Sequence, residues 1–523
     1  MFCNKTNVNI LTSHLLAAGI EDAVVCPGSR NAVIVHNLNE CASMANDEHP
    51  FRLHPVTDER SAAFVAIGLW LATRKPIVVC VTSGSALLNL LPGVCEAYYR
   101  HIPLILISAD RPAEWIGQLD GQTLPQPNAL LPYAKCWNIA DDASEAELHR
   151  YCNEAISATT AEGGSPVHIN VPLHEPLFTF TTASLPVIPD LSSPILSEGK
   201  AASLATALSE SSCHFSSELV TALRNAQRPA IIMGQWEEAP IPAITALQSL
   251  GWTIFAENIS NQHIYNDTLP AEGIDLLVHI GGALVEKRLK LQLRTLTDLT
   301  IVRIDESNEC PRTFGHVEHK VKAHPSAALE QIVALLIQES PNKEVHNCNI
   351  SPISVSSQPL ELPIEALFVG NSTAVRWANQ HLRLPVPTYC NRGVNGIEGS
   401  LSVAAGYSLQ AHGTTLCIIG DLSFFYDANA LWNQQLTDRL RILLINNNRG
   451  DIFYRLPHLS ESPALDDYIA AHHNSDAHGI AESYRCTYLT AHSADLTKDI
   501  NTLLHRLLDE PSKRPVILEV TID

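Results

Sequence analysis

The stretch Leu416–Trp432 reads LCIIGDLSFFYDANALW, and Arg441–Phe453 reads RILLINNNRGDIF. Each opens on a short aliphatic run and breaks into polar residues where a strand would end, at Gly420–Asp421 in the first and Asn446–Asn448 in the second. A continuously apolar strand needs both faces covered, as inside a parallel sheet with helices on either side. In such sheets ligands bind beyond the carboxyl ends of the strands. The polar residues of both stretches therefore stand at ligand-side positions.

The same rhythm runs through the rest of the chain. Short apolar runs at Asp22–Cys26, Pro76–Thr82, Pro103–Ser108, Pro166–Val171, Pro229–Met233, Leu276–Ile280, Thr300–Ile304, Leu367–Val369 and Pro515–Val520 alternate with helical stretches. This predicts the α/β class, with doubly wound parallel sheets. Two stretches break the series. Phe178–Lys200 is rich in Pro, Ser and Thr, and Glu339–Pro363 has little periodicity; both read as linkers. A chain of 523 residues, at roughly 150 residues per domain, then divides into three units near 1–180, 195–340 and 360–523.

Composition narrows the function. Apolar residues make up 46% and charged residues 17%, the balance of a globular protein with large cores. The net charge of −21, from 34 basic and 55 acidic residues, argues against general affinity for nucleic acid or an anionic membrane. Any anionic substrate must then be held by local clusters of Arg and Lys. The 13 cysteines include no C-x-x-C pair, and Cys26, Cys80 and Cys417 lie inside apolar runs, as buried thiols do. The amino terminus lacks the basic and apolar regions of a signal peptide, and no apolar run reaches the ~20 residues that span a bilayer. The expectation is a cytoplasmic protein without membrane insertion.

Asp421 and Asn447, 26 positions apart, place a carboxylate and an amide at the ends of two strands. Either alone is more often a helix cap or a polar turn. Together they offer oxygen ligands to a hard cation such as Mg²⁺. The Arg449 carbonyl would supply a third oxygen, and amide groups from Gly420 through Leu422 to Ser423 would hold an anionic group of a ligand.

This Gly-Asp … Asn-Asn pair resembles the cofactor motif of thiamine-diphosphate-dependent enzymes, such as 2-oxo-acid decarboxylases and acetolactate synthases. Leu422 and Arg449 depart from it, since Gly is common at both places, and the triple Asn leaves the metal amide at Asn447 or Asn448. The resemblance implies pyrimidine-binding, middle and diphosphate-binding domains, in that order, with Mg²⁺ or Mn²⁺ bridging protein and diphosphate. It implies that Glu59, in HPVTDERSAAFVAIGLWLAT, is the carboxyl group that meets N1′ of the cofactor. Ile397 would support the cofactor's bend. The middle unit has no G-x-G-x-x-G, only Gly281–Gly282, and reads as a structural unit that lends basic residues to the site.

A narrower resemblance covers nearly the whole chain. VCPGSRNA, TSGSALLNLLPGVCEAYY, ISADRPAEWIGQLDGQT, GNSTAVR, NRGVNGIEGSLS, GDLSFFYD and NNNRGDIF resemble the 2-succinyl-5-enolpyruvyl-6-hydroxy-3-cyclohexene-1-carboxylate synthases of menaquinone biosynthesis, the MenD family. That family decarboxylates 2-oxoglutarate and adds the resulting carbanion to isochorismate. By this resemblance Ser29, Arg30, Arg111, Gln122, Lys287 and Arg288 belong to the isochorismate side. Ser372, Arg376 and Arg392 belong to the 2-oxoglutarate side. Gln122, Ser372, Arg376 and Arg392 join Glu59 as catalytic candidates, and Ile452 and Phe453 form an apolar wall. Forked guanidinium groups suit such dicarboxylates. A homodimer or homotetramer is expected, because in relatives the Glu-bearing domain of one subunit meets the diphosphate domain of another. Arg100, Arg150 and Arg383 read as structural, and His472, His473 and His478 carry no assigned chemistry. Two rivals stand beside this reading. One is another thiamine-diphosphate enzyme with a smaller acceptor. The other is an inactive scaffold homologue, against which Glu59 and Asp421 both speak.

Overall fold

A computed structural model describes residues 1–188, 214–262, 264, 266, 269–270, 273–307, 310–338 and 362–522. Of the two linker readings, 189–200 and 339–361 lie outside the described residues. The described strands form three sheets of six, five and six strands. The first contains β1 (Asp22–Val25), β2 (Arg52–Pro55), β3 (Ile77–Val81), β4 (Leu104–Asp110), β5 (Lys135–Asn138) and β6 (Val167–Pro172). Its order is β2-β1-β3-β4-β6-β5, with every neighbouring pair parallel. The second contains β7 (Pro229–Met233), β8 (Thr253–Ala256), β9 (Leu276–Ile280), β10 (Thr300–Asp305) and β11 (His319–Lys322). These run in the order β11-β10-β9-β7-β8, again all parallel. The third is made from β12 (Ile364–Val369), β13 (Thr388–Tyr389), β14 (Thr414–Gly420), β15 (Leu440–Asn446), β16 (Thr487–Ser493) and β17 (Val516–Ile522). Here β12 pairs with β13, and β14-β15-β17-β16 follow one another in parallel.

Burial explains the layering. Along β7, Ile231 and Met233 enter one core with Leu219, Leu223, Leu247 and Leu329. Ala230 and Ile232, pointing the other way as strand alternation requires, enter a second core with Leu289 and Leu293. Helices thus cover both faces of this sheet. The chain divides by backbone contacts into two compact units, 1–200 with 393–523, and 201–392.

In the first unit the helix Glu59–Thr73 is buried continuously from Ser61 to Leu71. A helix apolar all round must pack on all sides, and its partner is the wholly buried helix Ser400–Ser408. Glycines allow the close crossing. A Cβ at Gly68 would lie 2.1 Å from the Val403 carbonyl oxygen, and one at Gly406 would lie 2.1 Å from that of Val65. The Ser61 and Ser402 hydroxyls meet across the contact at 2.8 Å. The crossing sets Glu59, first residue of its helix, relative to the chain segment that carries Asp421.

Candidate active site

β14 delivers Asp421 to the start of a short helix, Asp421–Tyr426. β15 runs beside it and ends at Asn446. The buried Asp421 carboxylate gathers the turn after β15: its Oδ2 accepts the Asn447 N–H at 3.1 Å and the Arg449 N–H at 3.2 Å. Its Oδ1 accepts the Leu422 N–H at 2.7 Å. Burial pushes its pKa up against these main-chain donors. The Asn447 side-chain oxygen is drawn 2.6 Å from the Arg449 carbonyl oxygen and 3.1 Å from Asp421 Oδ2. Three oxygens that close repel one another. The amide therefore turns over, so that its NH₂ donates to both oxygens. Oxygens on an octahedral Mg²⁺, at ~2.1 Å from the metal, lie about 3 Å apart, so the donor set fits that ion. The amide that meets Asp421 is that of Asn447; its neighbour Asn448 adopts φ +62° and gives its N–H to Asn446.

Around this cluster, a Cβ on Gly420 would meet nothing within 4 Å, so the main chain is open to a ligand there. Ser423 is buried and Leu422 half-buried. The Leu422 N–H, read as part of an anion seat, is engaged by Asp421's own carboxylate. Ile452 and Phe453 lie half-buried in the 3₁₀ turn Asp451–Arg455, and the Arg449 guanidinium stacks on Tyr454 at 4.2 Å.

His473 was not anticipated from sequence. Its Nε2 lies 3.3 Å from Asp421 Oδ2 without forming a hydrogen bond, while its Nδ1 accepts the Ser475 N–H. Main-chain bonds from Gly450 to Ala470 and from His473 to Asn448 fold this loop back onto the site. No local pattern announces such a return.

Glu59 is half-buried, and among the described residues its carboxylate has no hydrogen bond or ion pair. It stands near Cys26, whose thiol is pushed well up by burial first and by Glu59 second. Its neighbours are fixed instead. Asp58 caps the helix by accepting from Arg60 and Ser61 and takes the Asn429 side-chain amide at 2.9 Å. Arg60 approaches the fully buried Asp427 at 3.6 Å. Ile397 is 38% exposed. Its loop is anchored by buried Glu96, which accepts from the Gly393 and Val394 N–H groups at 2.9 Å each.

The remaining basic residues form two groups, one in each unit. In the first, Arg30 is buried, donates to the Leu173 carbonyl, pairs with Glu175 at 3.2 Å and stacks on Trp115. Arg111 lies close enough to help lower the Arg30 pKa, after burial. Ser29 and Gln122 are exposed. Gln122 sits at φ +55° with its main chain against Gly84, in the loop after β3. In the second unit, Arg376 donates to the Ser372 carbonyl at 2.7 Å, and Arg392 donates to Asn371 and Leu284. Ser372 adopts φ +70°, ψ −124°, a strained geometry for a residue with a Cβ and one that gathers at functional sites. Lys287 and Arg288 begin the helix Lys287–Leu293 and are exposed. Arg100, Arg150 and Arg383, read as structural, respectively pair with Glu96, pair with Glu154 and donate to main-chain carbonyls. No group of three or more His, Cys, Asp or Glu able to hold a metal is found among the described residues, so the Asp-Asn-carbonyl set stands as the candidate.

Comparison with known proteins agrees with this geometry. Residues 6–129 match the family described as thiamine pyrophosphate enzyme, N-terminal TPP binding domain, and residues 369–520 match its C-terminal TPP binding domain. The chain is therefore a thiamine-diphosphate-dependent enzyme. Three relatives carry the name 2-succinyl-5-enolpyruvyl-6-hydroxy-3-cyclohexene-1-carboxylate synthase. The protein of Bacteroides thetaiotaomicron is 36% identical over 99% of this chain and 96% of its own. That of Phocaeicola vulgatus is 36% identical over 100% and 96%, and that of Desulfotalea psychrophila 33% identical over 99% and 98%. Within the thiamine-diphosphate class, the chain belongs to this synthase family.

Proposed function

We propose that the protein joins 2-oxoglutarate, with loss of CO₂, to isochorismate, giving 2-succinyl-5-enolpyruvyl-6-hydroxy-3-cyclohexene-1-carboxylate for menaquinone synthesis. The observation that carries this reading is the convergence of Asp421, Asn447 and the Arg449 carbonyl at adjacent strand ends, in a chain of this family. When bound, thiamine diphosphate supplies the electron sink that decarboxylation of a 2-oxo acid requires.

The chain's own residues then have separable tasks. Asp421, Asn447 and the Arg449 carbonyl would hold Mg²⁺ (or Mn²⁺), and Gly420 to Ser423 would hold the diphosphate. Glu59, free of competing partners among the described residues, would be the carboxyl group toward N1′ of the aminopyrimidine, and Ile397 would support the ring pair. Ser372, Arg376 and Arg392 take the 2-oxoglutarate carboxylates. Ser29, Arg30, Arg111, Gln122, Lys287 and Arg288 take those of isochorismate. Ile452 and Phe453 keep water from the reacting carbon. The domain reading 1–180, 195–340 and 360–523 belongs to the same proposal, as does a homodimer or homotetramer in which a second copy meets Glu59. No helix among the described residues is long and apolar enough to cross a membrane; a cytoplasmic location fits soluble substrates.

Measuring CO₂ released from 2-oxoglutarate with and without isochorismate tests the reading. Release that rises on addition of isochorismate, with isochorismate consumed, supports it. Full-rate release with isochorismate untouched would make the protein a simple decarboxylase.

A further inference from the structure

Beyond the residues assigned above, the second unit holds a cation that nothing has yet accounted for. Lys290 lies one turn into the helix Lys287–Leu293 and is half-buried. Its Nζ donates to the Leu284 carbonyl at 3.1 Å. Arg392 donates to the same oxygen through Nη2 at 3.0 Å. Two cationic groups on one carbonyl oxygen are held near each other at a cost that a neutral acceptor does not offset. Arg376 belongs to the same cluster: Arg392 and Arg376 both lower the Lys290 pKa, after burial as the larger cause, and Arg392 lowers that of Arg376 in the same way.

The local carboxylates offset this charge only in part: Glu257 raises the Lys290 pKa, and Glu286 and Glu257 raise that of Arg376, yet both stay lowered. Buried Glu257 spends both oxygens on main-chain N–H groups, Val285 at 2.7 Å and Glu286 at 2.6 Å. Glu286 caps the helix through the Arg288 N–H. Among the described residues neither forms an ion pair with Lys290, Arg376 or Arg392, and Arg294 adds further positive charge around Lys290. Arg392 is 7% exposed, and its buried Nε has no hydrogen-bond partner. A buried guanidinium N–H left unpaired beside two other cations marks a seat for an anion. Glu257 fixes the 284–286 turn and thereby the Leu284 carbonyl on which Lys290 and Arg392 rest.

We infer that Lys290 completes a three-cation seat, with Arg376 and Arg392, for one carboxylate of the 2-oxo dicarboxylate donor, and that it helps the enzyme prefer a dicarboxylate over a 2-oxo acid with an uncharged tail. The inference rests on placing Arg376 and Arg392 on the donor side. Lysine contributes a point charge on a flexible stem, so an arginine at 290 keeps the charge and a methionine removes it.

The test uses the full-length, cofactor-free protein and glutarate, an unreactive dicarboxylate, with affinity read by titration calorimetry. Losing one hydrogen-bonded charge should weaken binding by roughly tenfold or more in Lys290→Met and Lys290→Gln, and by far less in Lys290→Arg, with thiamine diphosphate affinity unchanged. In the loaded enzyme, Lys290→Met should raise KM for 2-oxoglutarate at nearly constant kcat and narrow its preference over 2-oxopentanoate. Wild-type glutarate affinity in both uncharged variants overturns the role of Lys290. If Arg376→Gln weakens glutarate in the same series, the donor-side reading survives that failure. If Arg376→Gln also binds as the wild type does, or the wild type does not bind at millimolar glutarate, the donor-side reading falls together with the inference.

Discussion

At the scale of single residues, the candidate site holds two carboxylates in opposite surroundings. Asp421 is buried and takes three main-chain N–H groups, so its position is fixed before any ligand arrives. Glu59 is half-buried and free of hydrogen bonds and ion pairs among the described residues, as the proposed contact with a cofactor nitrogen requires. Glu59→Gln should lower turnover by about 10²–10⁴-fold, the span of a general acid–base contact, while thiamine diphosphate still raises the melting temperature. Near-normal turnover would remove Glu59 from the mechanism. Asp421 is legible in the sequence because it follows an apolar run that ends abruptly, whereas Glu59, after the polar strand β2, is legible only through the resemblance of its segment to that of the family. His473 is not, because it reaches Asp421 only through a loop whose return depends on main-chain bonds to Asn448 and Gly450. Arg30 shows another limit: its place in VCPGSRNA marks the loop, but its burial against Trp115 and its pairing with Glu175 come from elsewhere in the chain.

At the scale of elements, legibility follows burial. Interior strands such as β3, β4, β9 and β15 are buried at every position, and their unbroken apolar runs stand out. The strands that escape the same reading are β2, β5, β8, β11 and β16, at sheet edges, and β13, two residues long. β11 reads His-Lys-Val-Lys with only Val321 buried; one face and one edge meet solvent, so the apolar run is lost. β2 is polar because Arg52 and His54 both bind buried Asp22. The crossing of Glu59–Thr73 with Ser400–Ser408 allows a direct contrast. Gly68→Ala puts a Cβ 2.1 Å from a backbone oxygen and should cost at least about 2 kcal/mol in urea unfolding. Gly420→Ala adds a Cβ in open space and should change stability by less than about 0.5 kcal/mol, yet weaken thiamine diphosphate if the diphosphate lies there. Unchanged cofactor affinity in Gly420→Ala would move the diphosphate elsewhere. Asp427, held by Ser402 and fully buried, has its pKa pushed up to about 6 by burial. The folded state therefore binds this proton more tightly than the unfolded chain. The cost of the charge appears as pH rises through 4 to 6 and is complete above 6. A shift of this size amounts to about 3 kcal/mol. Asp427→Asn should gain that much stability relative to the wild type between pH 4 and pH 7, and a pH-independent difference would contradict it.

At the scale of the whole molecule, a chain of net charge −21 can hold anionic substrates only through local groups of basic residues. Arg30 with Arg111 in one unit, and Arg376 with Arg392 and Lys290 in the other, are the two such groups. The strand rhythm predicts parallel α/β sheets, because continuous apolar strands have few other ways to be covered. Which loops come together depends on contacts between segments far apart in the chain, and a local reading of sequence does not contain it. The central claim is that this geometry serves thiamine diphosphate and a divalent ion in joining two acids. The most direct measurement is 2-oxoglutarate-dependent consumption of isochorismate by protein stripped of both cofactors, with thiamine diphosphate and Mg²⁺ restored singly and together. Consumption is expected only when both are present. Consumption by the stripped protein, or none with both restored, would contradict it.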